Sequence, residues 1–355
     1  MEKPMFYIIV PIFNVEGYLR QCLDSIQNQS YANFRAILVN DGSTDKSEEI
    51  AKIYAKNDER FSLHSQANQG LSNARNKALE IIKNILYAAP PQHTNSQTSD
   101  ETKNVEPKSY AIFVDSDDYL ESNALQCLAE ILSRNSVESL IINSAYYDDG
   151  TTQRLQALFI PPESEIFNRI VSSAEVLMSV PEIHFYAMWV FVYECDFLFR
   201  HKLCFEPNIL FEDILFATYA FSLTQRAMFT DIPLYHYRVV RKGSIMDTKD
   251  KNLHRVANSH FALAKAFHKY ATCAKDEDKR AYLEHWSIFY VKETLRDIQR
   301  LGYGEKLDFS KSDITPFMPL LPMKYRFCAA FPRIYGFPKR CRIKLMDFIK
   351  CKAGG

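Results

Sequence analysis

Two rhythms of apolar positions alternate along the first 125 residues. Residues 6–13 and 34–39 are near-continuous apolar runs, the pattern of parallel strands buried on both faces. Between them Leu19, Cys22, Leu23 and Ile26 recur at helical spacing, which predicts a helix over 15–29. The same reading gives a helix over 45–56 with Ser43 or Thr44 as its cap, a short strand over 61–64, a helix from about 71 to 86 and a strand over 111–114. Strand followed by helix in this order implies right-handed crossovers and an open α/β sheet that is mostly parallel and Rossmann-like, flanked by helices.

The pattern loosens further on. Residues 88–109 are polar, contain prolines and carry almost no bulky apolar side chains. They read as a flexible surface insertion, with a functional lid as the sharper alternative. A helix opening at Ser122 or Asn123 runs to 133, and a strand covers 139–143. Residues 148–182 show no clear period. The aromatic stretch 186–193 is a strand or an apolar wall, and 194–201 and 211–223 are helical. Strands are expected at 227–229 and 234–239, then long helices at about 249–273 and 276–301, the second with Leu283, Trp286 and Tyr290 on one face. This divides the chain into an α/β domain over 1–245, a helical extension over 246–320 and a tail over 321–355.

Composition changes this picture only at the end of the chain. The 355 residues are 47% hydrophobic and 24% charged with a formal net charge of zero, so bulk electrostatics select no polyanionic partner. Residues 324–352, however, hold nine basic side chains and one acid, a local net charge of +8, interleaved with aromatic and aliphatic residues. That mixture suits the surface of an anionic membrane. A packed basic segment is the plainer alternative, and nucleic acid is disfavoured because nothing else in the chain supports it. The eight cysteines are scattered without a C-x-x-C pair, which fits reduced thiols in a cytosolic protein. No signal-peptide pattern opens the sequence and no apolar run reaches membrane-spanning length. A cytoplasmic protein, peripheral at the inner face of the cell membrane, is the expectation.

Candidate chemistry concentrates where strands end. The run at 111–114 stops abruptly at Asp115-Ser116-Asp117-Asp118. Like charges this close are costly unless something offsets them. Open α/β sheets bind ligands beyond the carboxyl ends of their strands, so a divalent cation bridging to a phosphate is one explanation. An acidic turn before the next helix is the other. Three further segments precede it: Val10-Pro-Ile-Phe-Asn14, Val39-Asn-Asp-Gly-Ser-Thr-Asp45 and Asn68-Gln-Gly-Leu-Ser-Asn-Ala-Arg-Asn76.

In this order, the four segments resemble the inverting nucleotide-sugar transferases of glycosyltransferase family 2, of the bacterial surface-glycan type. The likeness is strong over the first 125 or so residues. It continues more loosely through Trp189, Glu212-Asp213 and Leu234-Tyr-His-Tyr-Arg238 to Ser244. The resemblance implies a GT-A fold and transfer of a sugar from a UDP-sugar donor to a hydroxyl of a glycan acceptor, with Mn²⁺ or Mg²⁺. A lipid-linked acceptor, as in lipopolysaccharide or capsule synthesis, would suit the basic tail.

It also implies roles. Pro11 and Asn14 would shape the nucleotide pocket, Asp41 would accept a hydrogen bond from the base, and Arg75 would brace the acids. Asp115 and Asp117 would be the D-x-D pair, Asp115 near the ribose and Asp117 on the metal. Ser116 lies between them, and Asp118 would stand behind the metal or face the sugar. Asp213 would be the general base, with Glu212 second. Trp189 would offer a flat face to a sugar or simply pack in the core. His236, Arg238 and Lys242 would reach the diphosphate as part of a basic loop, and His236 is also a candidate metal ligand. A sugar-phosphate nucleotidyltransferase is disfavoured because Ile12-Phe-Asn-Val-Glu16 replaces the Gly-rich, basic loop such enzymes carry. A catalytically silent, nucleotide-sugar-binding scaffold is the remaining alternative.

Overall fold

The computed structural model describes residues 3–87, 108–142, 144–148, 153–156, 165–180, 183–238, 252–301 and 307–330. Nearly all of the 88–109 insertion, the segment containing Lys242 and Ser244, and residues 331–355 of the basic tail lie outside them.

Among the described residues, twelve strands and seven α-helices belong to the α/β unit. The strands are β1 (Met5–Ile12), β2 (Phe34–Asp41), β3 (Phe61–Gln66), β4 (Ser109–Phe113), β5 (Tyr119–Leu120), β6 (Ser139–Ile142), β7 (Ser144–Asp148), β8 (Gln153–Gln156), β9 (Ile170–Val171), β10 (Phe191–Glu194), β11 (Ala227–Thr230) and β12 (Tyr235–Arg238). The helices are α1 (Leu19–Gln27), α2 (Ser47–Asn57), α3 (Leu71–Tyr87), α4 (Ala124–Arg134), α5 (Ser173–Ser179), α6 (Cys195–Arg200) and α7 (Glu212–Leu223).

Eight strands form the central sheet in the order β3-β2-β1-β4-β10-β6-β11-β9. The first four run parallel, as the buried apolar runs of β1 and β2 predict. The fold is the expected mixed α/β architecture with a large, mostly parallel sheet. Beyond β4 the direction reverses, because β10 pairs antiparallel with both β4 and β6. Pro11 sits inside β1, a central strand, where a missing N–H normally breaks a ladder. Here β4 ends level with Ile9, paired with Phe113, and the Val114 N–H bonds the Ile9 carbonyl. Pro11 lies past that end, so no ladder bond is lost on that side.

Helices cover the sheet through the stripes read from sequence. Leu19, Cys22, Leu23 and Ile26 of α1 are buried, as are Ile50, Ala51 and Tyr54 of α2 and Ala74, Ala78, Leu79 and Ile82 of α3. Each buried Leu or Ile contributes about 1.5–3 kcal/mol of transfer free energy.

Three local expectations change. Neither Ser43 nor Thr44 caps α2: the Ser43 hydroxyl accepts the Asn14 N–H at 3.1 Å, and the Thr44 N–H donates to Asn14 Oδ1 at 2.8 Å. Both groups are thus spent tying the β2–α2 turn to the β1–α1 turn, and Asp45 takes the Ser47 N–H instead. The first helix begins at Leu19 rather than 15, because Asn14 stands at φ 50°, outside the helical region. Finally, the strand expected at 234–239 does not join the main sheet. As β12 it belongs to a second sheet in the order β5-β12-β7-β8.

A second compact unit contains Ile209–Phe211 and the chain from Lys242 onward. Helices Leu253–Cys273 and Glu277–Leu301 pack as a pair, with Phe261, Phe267, Trp286 and Tyr290 buried. The Ser287 hydroxyl donates to the Ala264 carbonyl at 2.9 Å. Phe211, at φ 65°, stacks on His260, which is 2.7 Å from Asp297.

Candidate active site

The candidate residues occupy the carboxyl ends of β1, β2 and β4, the start of α7 and strand β12. At the end of β2, Asp41 is 3% exposed and accepts three hydrogen bonds. Gln66 Nε2 and the Gln69 N–H reach Oδ1 at 2.8 and 2.9 Å, and the Gly70 N–H reaches Oδ2 at 2.8 Å. A carboxylate has about four lone-pair positions, so Oδ2 keeps capacity for one more donor. Gly42 follows at φ 71°, and a Cβ there would meet the Asn68 nitrogen at 2.8 Å. The turn after β2 therefore requires glycine.

Arg75, from the buried face of α3, is the junction of the site. Its Nη2 bonds Asp115 Oδ1 and its Nη1 bonds Glu212 Oε1, both at 2.9 Å. The guanidinium also lies over the Phe205 ring at 5.2 Å. Burial works to lower the Arg75 pKa, but Asp115, Glu212 and Asp213 together push it above its ordinary value. One planar fork thus joins the D-x-D turn to the start of α7, a geometry that a lysine cannot reproduce.

That junction separates the two acids of α7. Glu212 is buried and paired with Arg75. Asp213 is half-buried but sits among enough protein for desolvation to dominate its titration. Burial first and the Glu212 charge second raise it to about 7, against the opposing pull of Arg75. A carboxylate with a pKa near neutrality can take and hold a proton at working pH.

The acidic turn spans Asp115–Asp118, closed by the Asp118 N–H on the Asp115 carbonyl at 2.9 Å. Asp115 and Asp117 are partly exposed, whereas Ser116 and Asp118 are buried. Asp118 Oδ2 accepts the Tyr235 hydroxyl at 2.9 Å and Oδ1 accepts the Arg238 N–H at 2.8 Å. Burial, reinforced by Asp115 and Asp117, holds its pKa well above the carboxylate range. Arg238 donates through Nε to the Asp117 carbonyl and through Nη2 to Gln21, with its guanidinium over Tyr18. His236 stacks on Tyr119 at 4.3 Å, and its Nε2 is 2.9 Å from Glu121 Oε2. Trp189 is buried, with Tyr235 stacked on it at 4.6 Å and 7°.

Asp115, Arg75 and Glu212-Asp213 are therefore brought together, as are Asp117, Asp118 and Arg238. Asp41, with its own donors, forms a separate group at the end of β2, two residues past Val39, the register partner of Pro11. Sequence reasoning passed over Tyr235, Gln66 and Glu121. Tyr235 stood inside a quoted motif, but nothing in its spacing distinguishes it from a core tyrosine. Among the described residues no group of three or more His, Cys, Asp or Glu side chains forms a ready metal cage. The hard oxygens of Asp115 and Asp117 fit a different kind of site. There, one or two carboxylates share Mg²⁺ or Mn²⁺ with substrate phosphates and water.

The comparisons with known proteins point to one family. Residues 7–84, which include Pro11, Asn14, Asp41 and Arg75, match the model for glycosyl transferase family 2. Over this stretch the chain is similar to glycosyl transferase family 2. An uncharacterized glycosyltransferase, EpsJ of Bacillus subtilis, is 32% identical over 240 residues, 66% of this chain and 61% of its own. Glycosyltransferase GlyA of Streptococcus pneumoniae is 32% identical over 244 residues, 67% of this chain and 31% of its own. These alignments thus span 61% and 31% of the relatives' lengths. The solved structure of residues 1–349 of TarS from S. aureus superposes with a TM-score of 0.56 and 19% identity, covering 95% of this chain and 82% of TarS 1–349. It shares the fold.

Proposed function

We propose that the chain is an inverting glycosyltransferase that moves a sugar from a UDP-sugar to a hydroxyl of a glycan acceptor. The observation that carries this reading is the Arg75 bridge between Asp115 and Glu212. It links a D-x-D turn suited to a diphosphate with a helix start whose second acid, Asp213, is poised near pH 7. TarS, which shares the fold, has been solved with UDP and with UDP-GlcNAc, which supports a uridine nucleotide as donor.

In this reading Asp41 Oδ2 accepts an N–H of the base, with Pro11 and Asn14 shaping the pocket around it. Asp115 would lie near the ribose, and Asp117 would hold Mn²⁺ or Mg²⁺. The cation supplies Lewis acidity to the departing diphosphate. Asp213 takes the proton of the acceptor hydroxyl while that oxygen attacks the anomeric carbon from the face opposite the leaving group. The bond from that carbon to the diphosphate oxygen breaks, and the configuration inverts. Glu212, held by Arg75, keeps a negative charge beside Asp213 and sustains its basicity. His236, Arg238 and Lys242 complete the diphosphate side, and Trp189 backs the site behind Tyr235.

The catalytic domain extends to about residue 245, with the helical extension over 246–320. The basic tail brings the enzyme to an anionic membrane at the cytoplasmic face, where a lipid-linked acceptor would be met. A panel of UDP-sugars assayed for UDP release with Mn²⁺ tests the enzyme reading; no turnover from any donor would favour the silent scaffold. For the cation, Asp117→Ala should abolish the Mn²⁺-dependent part of UDP binding in calorimetry. Undiminished affinity would remove Asp117 from that role.

A further inference from the structure

In the acidic turn Asp115 and Asp117 are partly exposed, whereas Asp118 is buried. A carboxylate that is 2% exposed, with each oxygen held by a protein donor, is poorly placed to meet a sugar or a cation. Its partners are informative. The Tyr235 hydroxyl that donates to Asp118 also accepts the Asp115 main-chain N–H at 3.1 Å. Arg238, whose N–H donates to Asp118 at 2.8 Å, reaches with Nε to the Asp117 carbonyl at 2.9 Å. Each donor on Asp118 therefore also grips the backbone of one member of the D-x-D pair.

Both donors come from β12, which pairs antiparallel with β5 at Tyr235↔Leu120 and His236↔Tyr119. Tyr235 is itself fixed, being 1% exposed and stacked on Trp189. From the geometry we infer that Asp118 is a positioning residue: it locks Tyr235 and Arg238 onto the turn and so sets the orientation of Asp115 and Asp117 toward a cation-bound nucleoside diphosphate. This rests on the donor site proposed above and adds a device to it. The turn is pre-shaped by a buried network, so the phosphate end of the ligand meets a fixed pair of carboxylates. Mg²⁺ and Mn²⁺ gain most from such rigidity, because small cations tolerate little distortion of their oxygen shell, whereas Ca²⁺ accepts irregular ones.

UDP is the probe, titrated by calorimetry into the full chain with Mn²⁺, with Ca²⁺ and with EDTA. The variants are Tyr235→Phe, which removes only the bridging hydroxyl, and Asp118→Asn, which sets an amide against one of the two donors. Loss of such a supporting bond typically weakens cation affinity by about 10–100-fold. Both variants should therefore bind UDP about tenfold more weakly in Mn²⁺, with little change in EDTA and a reduced preference for Mn²⁺ over Ca²⁺. Equal weakening with and without cation would mean general damage to the pocket and would overturn the inference. So would unchanged binding in Mn²⁺. If the wild-type chain itself shows no cation-dependent UDP binding, the donor-site reading falls and takes this one with it. That outcome is seen before any variant is made. Tyr235→Phe retains the ring and its stack on Trp189, so its folding is the safer control should Asp118→Asn unfold.

Discussion

Asp213 and Glu212 are adjacent acids of one helical turn, and their surroundings assign them different work. Glu212 has a guanidinium; Asp213 has burial and a neighbouring negative charge, which raise it to about 7. If Asp213 is the base, only its ionised form accepts the acceptor's proton. The ratio kcat/KM should then fall about tenfold per unit as pH drops below about 7. Asp213→Asn should lower kcat by about 10²–10⁴-fold and leave UDP affinity unchanged. Stability runs the other way. The folded pKa lies above the ordinary value of about 3.9, so the native state binds this proton more tightly than the unfolded chain does. The stabilisation is present at low pH and is lost as pH rises from about 4 to about 7. Asp213→Asn should accordingly melt higher than the wild type at pH 8, with the gap closing at pH 5; equal melting temperatures at both would deny that the carboxyl is strained. Of this site, the sequence displays the acids and their order. It does not display the bridge, since Arg75 and Glu212 are 137 residues apart, and local spacing says nothing about such a pair. The buried bonds of Asp118 are hidden for the same reason, because Tyr235 and Arg238 come from far along the chain.

Elements were legible in proportion to how much of their own core signal they carry. Strands β1 and β2 are eight residues each, β1 apolar along its length and β2 through Ala36, Ile37, Leu38 and Val39, so period and length agree. Strands β5 and β9 have two residues each, too few for any period, and their pairing depends on distant partners. The reversal at β10 has the same origin, because an apolar strand reads alike in either direction. The turn after β2 is the element whose backbone matters most to the site. Gly42 permits φ 71° and the close approach of Asn68, which precedes the two backbone donors of Asp41. Gly42→Ala should cost about 2 kcal/mol from the left-handed conformation alone, visible as a lower urea midpoint, and should weaken UDP binding with it. Gly17→Ala serves as comparison: nothing lies within 4 Å of a Cβ there, so stability should move by no more than about 0.5 kcal/mol. Equal effects at the two glycines would mean that the turn is not under the constraint its geometry implies.

At the scale of the whole molecule, charge is distributed unevenly although it sums to zero. The +8 of residues 324–352 is offset by acids elsewhere, the D-x-D turn and α7 among them. Such a division suits an enzyme that must approach an anionic surface while keeping an acidic centre for a cation-bound ligand. Near a membrane rich in anionic lipid, each Lys or Arg contributes about 1 kcal/mol, and the interleaved aromatics add apolar insertion. The two contributions respond differently to salt. The electrostatic part should fade as the Debye length shrinks from about 10 Å at 0.1 M to about 3 Å at 1 M, leaving the apolar part. The full chain should therefore co-sediment with phosphatidylserine-containing vesicles at low salt, weakly with neutral phosphatidylcholine vesicles, and only partly at 1 M salt. Removing residues 324–355 should abolish binding to both vesicle types, while UDP release from a soluble acceptor assay stays near the wild-type rate. Undiminished sedimentation of the truncated chain would move the membrane contact elsewhere. Loss of UDP release together with sedimentation would mean that the tail supports the catalytic unit rather than its location.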